Sequence, residues 1–140
     1  MKKRVFLDTN ILMDYIDNRE HGSEAALILD YGKKGLISNC AAPVTYTTKS
    51  YLLHRRTKEE IHDCLDKASR GIEILPMDFT QFQSSMSFGP VRDFEDMMQY
   101  QCALAGKCEL IITNDKKGFE EFSQLPLMTA NEFLLSLLNE

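Results

Sequence analysis

Apolar residues recur along the chain in two alternating forms, short unbroken runs and longer stretches at helical spacing. Arg4 to Asp8, RVFLD, is a short apolar run ending in an acid, which predicts a buried strand. Leu36 to Ser38, Ile72 to Leu75, Glu109 to Thr113 and Leu127 to Met128 predict four more. Ile11, Leu12, Tyr15 and Ile16 share one side of a first helix that ends in the turn-forming stretch Asn18 to Gly22. Ser23 reads as the cap of a second helix, which runs out at Gly32 and Gly35. Further helices are expected over Val44 to Arg56, Lys58 to Ser69 and, behind Asp78 or Thr80, Gln81 to Ser87. Asp93 opens a helix from Phe94 to Ala105 that stops at Gly106. A helical turn near Gly118 to Phe122 and an amphipathic helix from Asn131 to Leu138 complete the chain.

Short strands alternating with helices imply βαβ units and a parallel sheet. Strands that are apolar throughout fit a sheet covered on both faces. The expected fold class is therefore α/β, a three-layer α/β/α sandwich with a short central parallel sheet. At 140 residues, residues 1–140 are expected to form a single domain, with no internal repeat.

Composition narrows the function classes. The formal charge of −5 argues against coating nucleic acid through a broad basic surface. Carboxylates gathered around cations would soften that charge where a substrate arrives. No stretch approaches the roughly 20 apolar residues of a membrane span. The start MKKRVFLDTN does not read as a secretory leader, so the expectation is cytoplasmic and without a membrane. Cys40, Cys64, Cys102 and Cys108 form no Cys-x-x-Cys pair and read as free thiols.

The acids carry the chemistry. In an open parallel sheet, ligands bind beyond the carboxyl ends of the strands where strand order reverses. Asp8 and Asp115 each follow an apolar strand at that end. Asp93 and Asp96 lie three apart near the amino terminus of the helix feeding the fourth strand, which starts at the same edge. Carboxylates brought together repel unless protons or cations intervene. An oxygen-only set with no His or Cys nearby suits Mg2+ or Mn2+ and phosphodiester chemistry.

Each acid also has a structural reading. Asp93 is a natural N-cap, Asp8 could cap the first helix, and Asp115 could shape a turn with Asn114. Glu95 reads as solvent-facing, in keeping with the helix dipole. Met97 and Met98, with Phe94, read as core. Lys49, His54, Arg55, Arg56 and Lys58 form a basic cluster that is a solvated helix face or a phosphate-contacting patch.

Val5-Phe6-Leu7-Asp8-Thr9-Asn10-Ile11-Leu12 resembles the opening of PIN-domain proteins. Asp93-Phe94-Glu95-Asp96 with Ala103 and Gly106 resembles their central motif, and Ile111-Ile112-Thr113-Asn114-Asp115 with Phe119 resembles their last acidic motif. The resemblance implies a PIN-like fold and a Mg2+- or Mn2+-dependent endoribonuclease, often the toxin of a toxin–antitoxin pair of the VapC type. It implies Asp8, Asp96 and Asp115 as catalytic metal ligands and Asp93 as an accessory acid. Asn10 and Thr113 would orient carboxylates or water. It also implies an RNA substrate, an antitoxin partner and a homodimer.

The chain departs from the family pattern at one place. A fourth acid, commonly Glu, is expected early in the helix after the second strand, where this chain reads Ala41-Ala42-Pro43-Val44-Thr45-Tyr46-Thr47-Thr48-Lys49. Thr48 occupies the nearest equivalent position. One ligand charge fewer weakens divalent binding. The alternative is thus a catalytically reduced or inactive PIN-like module that binds RNA or protein. A phosphotransfer enzyme fits less well, because a dehalogenase-like site wants Asp where Asn10 stands.

Overall fold

The computed structural model describes residues 2–17, 20–53 and 55–139, leaving aside the side chains at 49–52. Five strands form one sheet: β1 (Lys3–Leu7), β2 (Ile37–Ala41), β3 (Ile72–Ile74), β4 (Leu110–Ile112) and β5 (Leu127–Met128). All pair in parallel, in the order β3-β2-β1-β4-β5. The described helices are α1 (Thr9–Ile16), α2 (Gly22–Lys33), α3 (Pro43–Leu52), α4 (Lys58–Ser69), α5 (Phe79–Phe88), α6 (Phe94–Ala105), α7 (Lys117–Glu120) and α8 (Ala130–Leu138).

Side-chain alternation along the strands builds a core on each face. Val5 and Leu7 of β1, with Leu110 and Ile112 of β4, pack against Ile11 and Leu12 of α1, Ile28 of α2 and Phe133 of α8. Phe6 and Ile111 point the other way, against Met97 and Cys102 of α6, Phe119 of α7 and Phe122. Burying side chains of this size stabilises the fold by roughly 1.5–3 kcal/mol each. The result is the expected three-layer α/β/α sandwich, with β1 at its centre.

Several boundaries differ from the sequence pattern for physical reasons. The second strand extends through Asn39, a polar residue that breaks the apolar run yet is buried, its amide donating to the Ile28 carbonyl at 3.0 Å. Gly32 makes this close approach feasible, since a Cβ there would collide with the Asn39 amide. Ser23 does not cap α2, which begins at Gly22 behind His21. Pro43 opens α3, a position where its missing N–H costs nothing, and the helix ends at Leu52. The fifth helix starts earlier than expected because Asp78 and Gln81 form a reciprocal capping box around Phe79. Of the stretches expected as turn and helix end, Asn18, Arg19 and His54 lie outside the described residues.

Met97 is core, as expected, but Phe94 is exposed and packs edge-on against Phe82, with ring centroids 6.0 Å apart. Cys40, Cys102 and Cys108 are buried free thiols, and Cys64 is half-buried. Among the described residues, no helix is long and apolar enough to cross a membrane.

What matters for function is the strand order. The chain builds outward from β1 to β2 and β3, then returns to the other side of β1 for β4 and β5. The reversal falls between β1 and β4, whose carboxyl ends finish together, Leu7 opposite Ile112. Such a switch point leaves a crevice at the strand ends.

Candidate metal centre

Asp8 is the first residue beyond β1, and its backbone N–H continues the ladder to the Ile112 carbonyl at 3.1 Å. It stands at the N-cap of α1, but its side chain makes no capping hydrogen bond. The carboxylate turns instead into the crevice, where it is 3% exposed. Thr113 Oγ1 donates to its Oδ2 at 2.8 Å and Gln99 Nε2 donates to its Oδ1 at 3.1 Å. Both partners are neutral, so Asp8 is solvated by dipoles without being neutralised. Burial pushes its carboxyl up to about 6, against the opposing pull of those hydrogen bonds.

Thr113 also ties Asp115 to the same edge, accepting the Asp115 N–H at 3.0 Å. One hydroxyl thus links the two acids that leave adjacent strands. Asp115 itself is exposed.

The third segment is the start of α6. Asp93 is its N-cap, accepting the Asp96 N–H at 3.1 Å, so the capping reading holds for this residue. That bond fixes the first turn and turns Asp96 toward Asp8. Gln99, one turn further on the same face, donates from the same Nε2 to Asp96 Oδ1 at 3.3 Å. Its two amide hydrogens therefore serve one carboxylate each. Gln99 Oε1 accepts the Thr9 N–H at 3.2 Å, which sets which way the amide faces. The Asp96 carboxyl is pushed up to about 8, first by burial and then by the negative charges of Asp8, Asp93, Glu95 and Asp115.

Glu95 departs from its expected solvent-facing position. It is half-buried, and Thr48 Oγ1 of α3 donates to its Oε1 at 2.8 Å. Its charge also opposes ionisation of Asp8. The partner of Thr48 is thus a carboxylate from α6. Asn10 is exposed on the first turn of α1. Of the basic cluster, Arg55, Arg56 and Lys58 are exposed, while His54 and the Lys49 side chain lie outside the described residues.

Two participants escape the sequence reading. Gln99 is fully buried within an apolar helix face and gave only a spacing clue, three residues beyond Asp96. Gly118 lies against Asp96, where a Cβ would collide with Oδ2. Only a glycine leaves this carboxylate in place.

The acids gathered here offer oxygen donors, the type preferred by Mg2+ or Mn2+. Among the described residues, no three acidic, His or Cys side chains already close around a common point. The mutual repulsion that raises Asp96 is what a bound cation would relieve. By residue type, a set of carboxylates, these donors fit the ion.

Comparison with known proteins shows the family and the fold. A PIN-domain family model matches residues 4–117. Ribonuclease VapC1 from Aquifex aeolicus (strain VF5) is 25% identical over 139 residues, covering 94% of this chain and 93% of that protein. The crystal structure of VapBC2 from Rickettsia felis, bound to a DNA fragment from their promoter, superposes with a TM-score of 0.68 at 19% identity. That match covers 89% of this chain and 97% of the other. A toxin–antitoxin complex from Klebsiella pneumoniae gives a TM-score of 0.65 at 17% identity, over 90% and 97% of the two chains.

Proposed function

Because the chain belongs to the PIN-domain family, we propose that it is a metal-dependent endoribonuclease acting as the toxin of a toxin–antitoxin pair. The observation that carries this reading is the buried, uncompensated Asp8 joined through Gln99 to Asp96 at the switch point of the sheet. Likeness to Ribonuclease VapC1 supports RNA as the substrate. Likeness to a toxin–antitoxin complex supports an antitoxin as partner. A homodimer and a cytoplasmic location complete the proposal.

In this reading Asp8, Asp96 and Asp115 hold Mg2+ or Mn2+, and Asp93 adds charge while capping α6. When bound, the ion supplies Lewis acidity at the scissile phosphate and a more acidic water. Thr113 keeps Asp8 pointed into the crevice and, through the Asp115 N–H, sets the loop after β4. Gln99 holds Asp8 and Asp96 at a fixed separation. Asn10, exposed on the first turn of α1, would orient carboxylates or water. An ion held there would favour the ionised form of the raised Asp8 and Asp96 carboxyls, so its binding would release protons.

Incubation of the protein with RNA and Mn2+, beside the Asp8→Asn variant, tests the proposal. Cleavage by the wild type and its loss in the variant are expected; equal cleavage by both overturns the mechanism. The absence of any acid from Pro43 to Leu52 favours a second reading, a catalytically reduced module that binds RNA or protein. Mn2+ calorimetry separates the two, since tight binding that vanishes in Asp96→Asn speaks against the reduced module.

A further inference from the structure

The helix after β2 lacks the acid that the opposing helix supplies. Residues Pro43 to Leu52 read PVTYTTKSYL, without a carboxylate, while α6 opens with Asp93, Glu95 and Asp96 within one turn. Adjacent helical residues diverge by roughly 100°, since a turn takes 3.6 residues. Glu95 therefore has to leave the face of Asp96, and in isolation would extend into water. It does not. It is half-buried and receives the Thr48 hydroxyl at 2.8 Å, a bond between residues 47 apart in sequence. Thr45, three residues before Thr48 on the same face of α3, shares a 3.0 Å hydroxyl–hydroxyl hydrogen bond with Thr9, the neighbour of Asp8, so this face of α3 borders the acids.

We propose that Glu95 is a carboxylate of the metal centre, entering from α6 in place of one from α3, and that Thr48 is its positioning residue. Thr48 cannot itself ligate as an anion, but its hydroxyl is a donor, and a donor is what an acid arriving from the facing helix needs. An acid at position 48 would repel Glu95 at hydrogen-bond range. Neutral donor and relocated acid thus form a matched pair, and the negative charge facing the cation is conserved although its origin has moved. The inference rests on the metal-centre reading above, and it turns a deficit in α3 into a rearrangement.

Calorimetric titration of Mn2+ into the metal-free full-length protein tests it without any catalytic readout. Wild type should bind, and Asp8→Asn should not. Glu95→Gln should weaken affinity about 100-fold and Thr48→Val about tenfold, the range seen when groups around a metal are removed. Thr48→Ser, which keeps the hydroxyl, should bind like wild type. The double variant Thr48→Glu with Glu95→Gln should recover most of the affinity by returning the acid to α3. Wild-type affinity in Glu95→Gln, with binding still lost in Asp8→Asn, overturns the role of Glu95 and leaves the metal-centre reading standing. Absence of Mn2+ binding by the wild type overturns both. Should Glu95→Gln fail to fold, by far-ultraviolet circular dichroism, equal affinity in Thr48→Val and Thr48→Ser overturns the proposal.

Discussion

Arg4 and Asp8 stand at opposite ends of the same central strand, and the fold treats their charges differently. Arg4 is matched on every side. It forms a two-pronged ion pair with Glu73 at 2.8 and 3.0 Å, donates from Nε to the Gly106 carbonyl at 2.7 Å, and its backbone N–H is taken by Glu109. Its charge is held in place by Glu73, whose carboxyl is lowered in return. Asp8 is far more deeply buried, meets only neutral donors, and faces further acids across the crevice. One end of β1 closes its electrostatics within the chain; the other leaves them open. An uncompensated buried charge is costly, and it persists where a ligand completes the arrangement.

This contrast predicts that charge removal costs stability at one end and function at the other. The largest effect is expected for Asp8→Asn, with RNA cleavage falling about 100-fold or more, equivalent to roughly 3 kcal/mol of transition-state stabilisation. Its metal-free melting temperature should hold or rise. A sharp fall in melting temperature with cleavage intact would mean that the two ends are alike.

Next comes the pH dependence of the metal-free protein. Burial pushes the Asp8 carboxyl up to about 6, and burial with neighbouring acids pushes that of Asp96 up to about 8, both from an ordinary value of 3.8. The folded state therefore holds protons that the unfolded chain has lost, and stability declines as pH rises from about 4 through 8. Because Asp96 is only partly buried and solvent screens its charge, the loss attributable to it is on the order of 1–2 kcal/mol. Mn2+ should restore it at pH 8, and Asp96→Asn should flatten the slope. Urea midpoints across that range provide the check.

A smaller effect is expected from Gly118→Ala, which forces Asp96 Oδ2 to move. Mn2+ affinity should fall about tenfold, equivalent to 1.4 kcal/mol, measurable by calorimetry. The smallest belongs to Arg4→Met, which should lower stability by about 1 kcal/mol, as expected for a part-exposed ion pair with added hydrogen bonds. Mn2+ affinity should not change. A change there would couple the two ends.

The open end was the more legible in sequence. Asp8 and Asp115 announce themselves by following apolar runs, and Asp93 and Asp96 by opening a helix, because strand ends and helix starts are positions that pattern alone can locate. The residues that tune those acids were not legible. Gln99 hides in a buried helix face, Gly118 in a short turn, and Glu95 is recognisable only once α3 is seen to lie opposite α6. The same limit shortened β2, where buried Asn39 looks like an end of strand until its bond to α2 is known. Contacts between segments far apart in sequence leave no periodic trace.

The side-chain amide of Gln99 has one more implication. With its oxygen anchored to the start of α1 and each hydrogen assigned to a different carboxylate, it works as a strut, neither drawing the two acids into contact nor letting them drift apart. If the proposed ion binds here, the spacing of Asp8 and Asp96 is set before it arrives, and ordering this pair adds little to the cost of capture.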